Sequence, residues 1–263
     1  KPLNTYYNSL IRAHNGEEVN IDDYIDPYIE AGKLLQPFTR NTVYLLNEYL
    51  RQGRNILFEG AQGILLDIHF GTYPYVTSSN PSVGGIFTGT GLPHKAVEKI
   101  IGISKAYTTR VGEGPFPSEL EGQQAEFLRE KGKEYGATTG RPRRVGWLDL
   151  VALKYSLMLN GVDEIFLTKL DVLDEFEEIN LVTAYQVDNK QSDIFDPSID
   201  YLSAVKPVLK SFPGWKTGSG KIERFQDLPS RAREYIEFIK DFTGVPVNII
   251  SIGPGRHQTI KRQ

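Results

Sequence analysis

The chain alternates between stretches of helical and strand periodicity, and most of them end on glycine. Residues 41–52 put Val43, Leu46 and Leu50 on one helical face, with Leu45 widening it and Gly53 as a stop. Residues 55–59, an Ile-Leu-Phe run between polar ends, predict a short strand broken by Gly60-Ala61-Gln62-Gly63. A helix opening on proline is expected over 93–100. A strand follows over 101–109 and ends in the glycine-rich 110–115. Residues 123–131 predict a polar helix stopped by Gly132, and 147–160 an amphipathic helix carrying Leu150, Leu153 and Leu157 on one face. Strands are expected over 164–167, 178–187 and 247–252, with Asp188-Asn189 as a hairpin turn after the second. The proline-containing stretch 190–227 reads as a small inserted subdomain, and 230–242 as a helix with Tyr235, Ile236 and Ile239 turned inward. The first 36 residues show weak periodicity and predict irregular structure with a short helix. Helices alternating with strands whose ends break into glycine turns imply an α/β fold. It has a mostly parallel central sheet, flanking helices and ligands along one edge.

Composition narrows the function classes. The chain has 263 residues, 40% hydrophobic and 24% charged, which is an ordinary globular balance. A formal net charge of -3 disfavours nonspecific binding to nucleic acid, so no nucleic-acid partner is expected. Cysteine is absent, which removes disulfides and thiolate metal sites and fits a reducing, cytoplasmic setting. The four histidines, His14, His69, His94 and His257, are scattered, so no local metal motif is present and no metal ligands are assigned within the chain. No apolar run is long enough to span a bilayer, and no membrane partner is expected.

The chemistry concentrates in Gly136-Ala137-Thr138-Thr139-Gly140-Arg141-Pro142-Arg143-Arg144. Three arginines in four positions follow two hydroxyls and a glycine. Each guanidinium presents a planar fork of donors that matches a carboxylate or a phosphate. Pro142 fixes one φ, so the flanking arginines diverge toward different anions. A solvated basic loop is the alternative; the Thr-Thr-Gly lead-in favours an anion site. Thr168-Lys169-Leu170-Asp171 sits at the exit of the 164–167 strand. An aspartate there accepts two hydrogen bonds from guanine, and the stem of Lys169 can lie over the base. A surface Lys–Asp pair is the plainer reading of the same residues. Gln62 is the one long polar side chain in its glycine turn, suited to a base edge or simply to solvent. Residues 77–91 are rich in small hydroxyls and glycine, yet they contain neither a Gly-Lys-Ser/Thr phosphate loop nor a dinucleotide fingerprint. That omission disfavours a NAD-dependent oxidoreductase.

Six stretches, taken in order, resemble the adenylosuccinate synthetase family. They are Phe58 to Gly63, Gly71 to Asn80, Thr109 to Gly112 with Gly114 to Pro117, Ala137 to Arg144 with Gly146 to Asp149, Thr168 to Asp174, and Ser251 to Arg256. The resemblance implies a P-loop-NTPase-like α/β fold and a GTP-dependent ligation of IMP to L-aspartate through a 6-phosphoryl-IMP intermediate. It implies Gln62, Thr77 and Arg141 as IMP contacts. It implies Ala137, Thr138, Thr139, Gly140, Arg141, Pro142 and Arg143 as the aspartate loop. It implies Arg143, Lys169, Leu170, Asp171, Ser251, Ile252 and Gly253 as GTP contacts. It also implies Mg²⁺ and a homodimer. The family's Gly-Asp-Glu-Gly-Lys-Gly loop and Gly-His-Thr segment, which carry the catalytic aspartate and histidine, do not occur in residues 1–263. The catalytic residues and most metal contacts are therefore expected upstream of Lys1. The chain by itself is expected to be inactive, as the carboxyl-side part of one domain. His69 stands where the family carries an aspartate, and a structural role is expected for it. A non-catalytic purine-nucleotide-binding or dimerising module is the alternative.

Overall fold

The structure is a computed structural model that describes residues 2–136, 140–216, 218 and 222–262. The chain divides into two units, Lys1–Ile56 and Leu57–Gln263.

The first unit is helical: α1 (Pro2–Ala13), α2 (Asp22–Leu35) and α3 (Thr42–Arg51). The expected irregular amino-terminal stretch is thus two helices. Leu3, Tyr6, Tyr7 and Leu10 recur at helical spacing, but their side chains are exposed, so the periodicity marks a surface and not a core. Asn8 ties the end of the α1–α2 connection back to α1. Its Nδ2 donates to the Val19 carbonyl at 2.8 Å, and its Oδ1 accepts from the Val19 N–H at 3.0 Å. Helix α3 matches its expected span, capped by the Asn41 side chain, which accepts from the Tyr44 N–H.

The second unit contains α4 (Gly84–Thr90), α5 (Gly122–Gly132), α6 (Leu150–Asn160), α7 (Ile199–Ala204) and α8 (Ser230–Thr243). Its strands are β1 (Ile101–Lys105), β2 (Thr108–Arg110), β3 (Arg144–Gly146), β4 (Leu148–Asp149), β5 (Glu164–Thr168), β6 (Glu178–Val187), β7 (Lys190–Ser192), β8 (Lys206–Pro213), β9 (Val247–Ser251) and β10 (Thr259–Lys261). The central sheet runs β1-β5-β9-β10, its first three strands parallel and β10 antiparallel. β2 and β3 form an antiparallel pair. A third sheet joins β4, β6, β7 and β8; the last three are antiparallel, and β8 runs along most of β6. The segment from 190 to 213 therefore supplies strands to the β6 sheet. Asp188 and Asn189 both take positive φ in the β6–β7 turn, as a two-residue hairpin requires.

Three expected elements come out differently. Residues 55–59 form no strand among the described residues; an apolar run supplies the side chains of a strand but not a partner for its backbone. Residues 93–100 form only a 3-10 turn at His94–Ala96, and Val97 is already extended. A single proline start without an apolar face does not sustain a helix. The strand expected over 101–109 breaks at Ala106-Tyr107, where the Ala106 N–H donates to the Thr168 carbonyl at 2.8 Å and its carbonyl accepts from the Tyr235 hydroxyl at 2.7 Å.

The core lies between the central sheet and the helices on it. Ile165, Leu167, Val247 and Ile250 of the sheet meet Leu128 of α5, Leu150 and Leu157 of α6, and Tyr235, Ile236 and Ile239 of α8. Helix α6 starts at Leu150, not at Trp147, because Asp149 caps it; its carboxylate accepts from the Ala152 N–H at 3.0 Å. The same helix faces a second cluster through Val151 and Ala152, which pack with Val182, Tyr185, Phe195 and Leu202. It is buried on two sides, beyond the single face its leucines predict.

Candidate active site

The carboxyl ends of β1, β5 and β9 lie side by side. Lys105 stands opposite Thr168, and Leu167 opposite Ile250. The turn Lys169-Leu170-Asp171 therefore leaves the sheet beside Ser251-Ile252-Gly253, and the residues expected at guanine share one edge. This is where an open parallel sheet offers a crevice to a ligand. Lys169 takes φ 61°, so the chain turns sharply as it leaves β5. Leu170 is buried beneath the turn. Burial pushes the Asp171 carboxyl up from its ordinary range. The Ser251 hydroxyl donates to the Gly253 carbonyl at 2.9 Å, and the Ile252 N–H donates to the Gln258 carbonyl at 2.9 Å, which fixes the second turn.

The arginine loop hangs from the same edge. Its base is pinned by Gly136 N–H to the Arg141 carbonyl at 2.8 Å and by Arg143 N–H to the Glu134 carbonyl at 2.9 Å. Gly140 has φ 64°, a conformation that favours glycine. Arg141 and Pro142 are exposed. Ala137, Thr138 and Thr139, expected on the aspartate carboxylate, lie outside the described residues. The three arginines do not act as one patch. Arg144 forks onto the Glu119 carboxylate and donates to the Gly114 carbonyl at 2.7 Å. Arg143 pairs with Glu134 at 2.9 Å.

Glu134 was not among the expected site residues, and it occupies the centre of this edge. Its side chain is 0% exposed. Oε1 accepts from Lys169 Nζ at 2.7 Å, from Lys105 Nζ at 2.9 Å and from the Tyr107 hydroxyl at 2.6 Å. Oε2 accepts from Lys105 at 2.9 Å and from Arg143 Nη1 at 2.9 Å. Burial alone would raise this carboxyl, but the hydrogen bonds from Lys169, Tyr107 and Lys105 outweigh it and hold it at about 2. Burial lowers Lys105, against the pull of Glu134. Lys133 at the end of α5 takes φ 51°, and this reversal aims Glu134 at the strand ends. The signal in the sequence was slight: one acid immediately after a helix stop, ahead of a run of cations.

Gln62 and Thr77 lie in the loops between 60 and 83. Gln62 is exposed with φ 63°. The Thr77 N–H donates to the Leu66 carbonyl at 2.8 Å, and its hydroxyl meets that of Ser79 at 3.3 Å. Buried Asp67 organises these loops by accepting from the N–H groups of His69 at 2.8 Å and Phe70 at 3.1 Å. The His69 side chain is 70% exposed and packs as no core residue does. Arg110 joins the loops to β2 by donating to the Thr72 hydroxyl at 2.9 Å. Among the described residues no group of three His, Asp or Glu side chains could hold a metal ion. The Glu134 carboxylate is saturated by the cations around it. Glu134 therefore offers no open oxygen to Mg²⁺. No helix is long and apolar enough to cross a membrane.

These features define an α/β protein with charged turns gathered on the carboxyl edge of a mostly parallel sheet. A family profile described as adenylosuccinate synthetase matches residues 1–260. The adenylosuccinate synthetase of Chlorobium phaeobacteroides is 50% identical over 97% of this chain and 59% of its own length. That of Schizosaccharomyces japonicus is 45% identical over 95% of this chain and 58% of its own length. The structure of a fully ligated adenylosuccinate synthetase from Plasmodium falciparum superposes with a TM-score of 0.93 at 36% identity, covering 98% of this chain and 62% of that one. The chain belongs to the adenylosuccinate synthetase family. It spans less than two thirds of the length of these relatives.

Proposed function

We propose that this chain supplies the IMP, aspartate and guanine contacts of a GTP-dependent ligase that joins IMP to L-aspartate and forms adenylosuccinate. The observation that carries the reading is the shared edge at which Lys169-Leu170-Asp171, Ser251-Ile252-Gly253 and the tethered Arg143 meet. Asp171 accepts from the guanine ring N–H and its amino group, while the Lys169 stem covers the base. Thr138, Thr139 and Arg141 grip the aspartate carboxylate. Gln62 meets the purine of IMP, Thr77 and Arg141 bind IMP, and Arg143 reaches GTP. The γ-phosphoryl group of GTP passes to the 6-oxygen of IMP. The aspartate amine then attacks carbon 6 and expels that oxygen as phosphate. Arg141 and Arg143 stabilise the negative charge that develops during both steps. Mg²⁺ would neutralise phosphate charge, held by residues other than those described. The working molecule is a cytoplasmic homodimer in this reading, and residues 1–263 alone make no product.

The test is an assay of the full-length protein with each substrate omitted in turn. Adenylosuccinate should appear only when IMP, aspartate and GTP are all present. Product formed without GTP would contradict the reading. Tight GTP binding without product would point to a non-catalytic nucleotide-binding module.

A further inference from the structure

Glu134 joins two parts of the site that the ligase reading treats as separate. Lys169 reaches it from the guanine turn after β5, and Arg143 reaches it from the aspartate loop. Lys105 arrives from the end of β1 and bridges both carboxylate oxygens. The link to the loop is double, because the Glu134 carbonyl also accepts from the Arg143 N–H. The link to the turn is double as well. Lys169 Nζ donates to the Glu134 carboxylate and, at 2.5 Å, to the Gly132 carbonyl two residues earlier. Gly132 permits this crowding, since a Cβ there would stand 2.3 Å from the Tyr107 hydroxyl.

Three cations thus share one buried carboxylate. Removing the negative charge leaves like charges facing one another in a water-poor site, where their repulsion is strong. Removing one cation lets the carboxylate redistribute its hydrogen bonds among those that remain. We propose that Glu134 is a positioning residue that couples the aspartate loop to the guanine turn, so that the geometry of each depends on the other. The proposal rests on the ligase reading. Its content is an energetic link between Lys169, assigned only to guanine, and the affinity for aspartate.

The experiment is a double-mutant cycle in the full-length enzyme with Lys169→Met, Glu134→Gln and the pair. The Michaelis constants for aspartate and GTP are measured alongside kcat. Lys169→Met should raise the aspartate KM by about fivefold or more, within the usual span of coupling between sites. Glu134→Gln should raise the KM for both aspartate and GTP with a smaller fall in kcat. In its background, Lys169→Met should add little to the aspartate KM, whereas independent effects would multiply. Glu134→Asp should recover part of the loss. An aspartate KM unchanged by Lys169→Met, or fully multiplicative effects, would overturn the proposal. If Glu134→Gln does not fold, Tyr107→Phe replaces it in the cycle, because it removes one hydrogen bond to Oε1 and no charge. A full-length wild-type protein that turns over but ignores guanine identity would contradict the ligase reading. A normal guanine preference without coupling would contradict only the role of Glu134.

Discussion

Arg141 and Arg143 stand two positions apart across Pro142 and meet different surroundings. Arg143 is anchored to buried Glu134, while Arg141 lies on the exposed side of the loop. Among the described residues the buried Nε of Arg143 has no hydrogen-bond partner. Arg141→Leu in the full-length enzyme should raise the aspartate KM and weaken IMP, whereas Arg143→Leu should weaken GTP most. Truncating a guanidinium that holds a desolvated anion costs about 2–5 kcal/mol. Lysine at 141 should restore only part of the loss, because a point charge cannot make the paired fork. Steady-state kinetics with each substrate varied would decide it, and one identical pattern for both leucine variants would refute the division. The cationic character of this loop was legible from three arginines in a row of four. The consumption of Arg144 by Glu119 was not, because those residues are 25 apart with helix α5 between them in the chain.

At the scale of elements, Asp149 links helix α6 to strand β6. It caps the helix and accepts from the Tyr185 hydroxyl at 2.6 Å. Burial pushes its carboxyl up to about 6, against the opposing pull of Tyr185 and the helix N–H groups. A carboxyl with a raised folded pKa holds its proton more tightly folded than unfolded. Its ionisation therefore costs stability progressively as pH rises from about 4, the unfolded value, to about 6, and the full cost persists above that. Two pKa units correspond to about 2–3 kcal/mol. Asp149→Asn keeps an acceptor oxygen for the Ala152 N–H, turns an amide donor toward the Tyr185 hydroxyl, and cannot ionise. Urea unfolding should show the variant gaining on the wild type by about that amount between pH 4 and pH 7; parallel pH profiles would contradict the assignment. Elements with their own stop signals were legible: α3 before Gly53, α6 before Gly161, and the β6–β7 hairpin at Asp188-Asn189. Those whose fate depends on a distant partner were not. The apolar run at 55–59 has strand composition, but composition does not provide a hydrogen-bonding neighbour.

For the whole molecule, the sequence order of the motifs specified the family, and the parallel register of β1, β5 and β9 explains why distant motifs serve one site. Residues 169–171 and 251–253 are separated by some eighty positions, yet adjacent strands deliver them to the same edge. The buried hub at Glu134 escaped the sequence because its five hydrogen bonds come from four residues in three separate segments. The guanine end of this edge is the part of the account most exposed to refutation. Asp171→Asn exchanges one acceptor oxygen for an amide donor, which suits the 2-oxo group of xanthine better than the amino group of guanine. Loss of a hydrogen bond to a charged group costs about 1.5–3 kcal/mol, roughly ten- to a hundredfold. The decisive measurement is the ratio of kcat/KM for GTP to that for XTP in adenylosuccinate formation by the full-length enzyme, wild type against Asp171→Asn. The account predicts a strong GTP preference in the wild type that falls at least tenfold, toward XTP, in the variant. An unchanged ratio would contradict it.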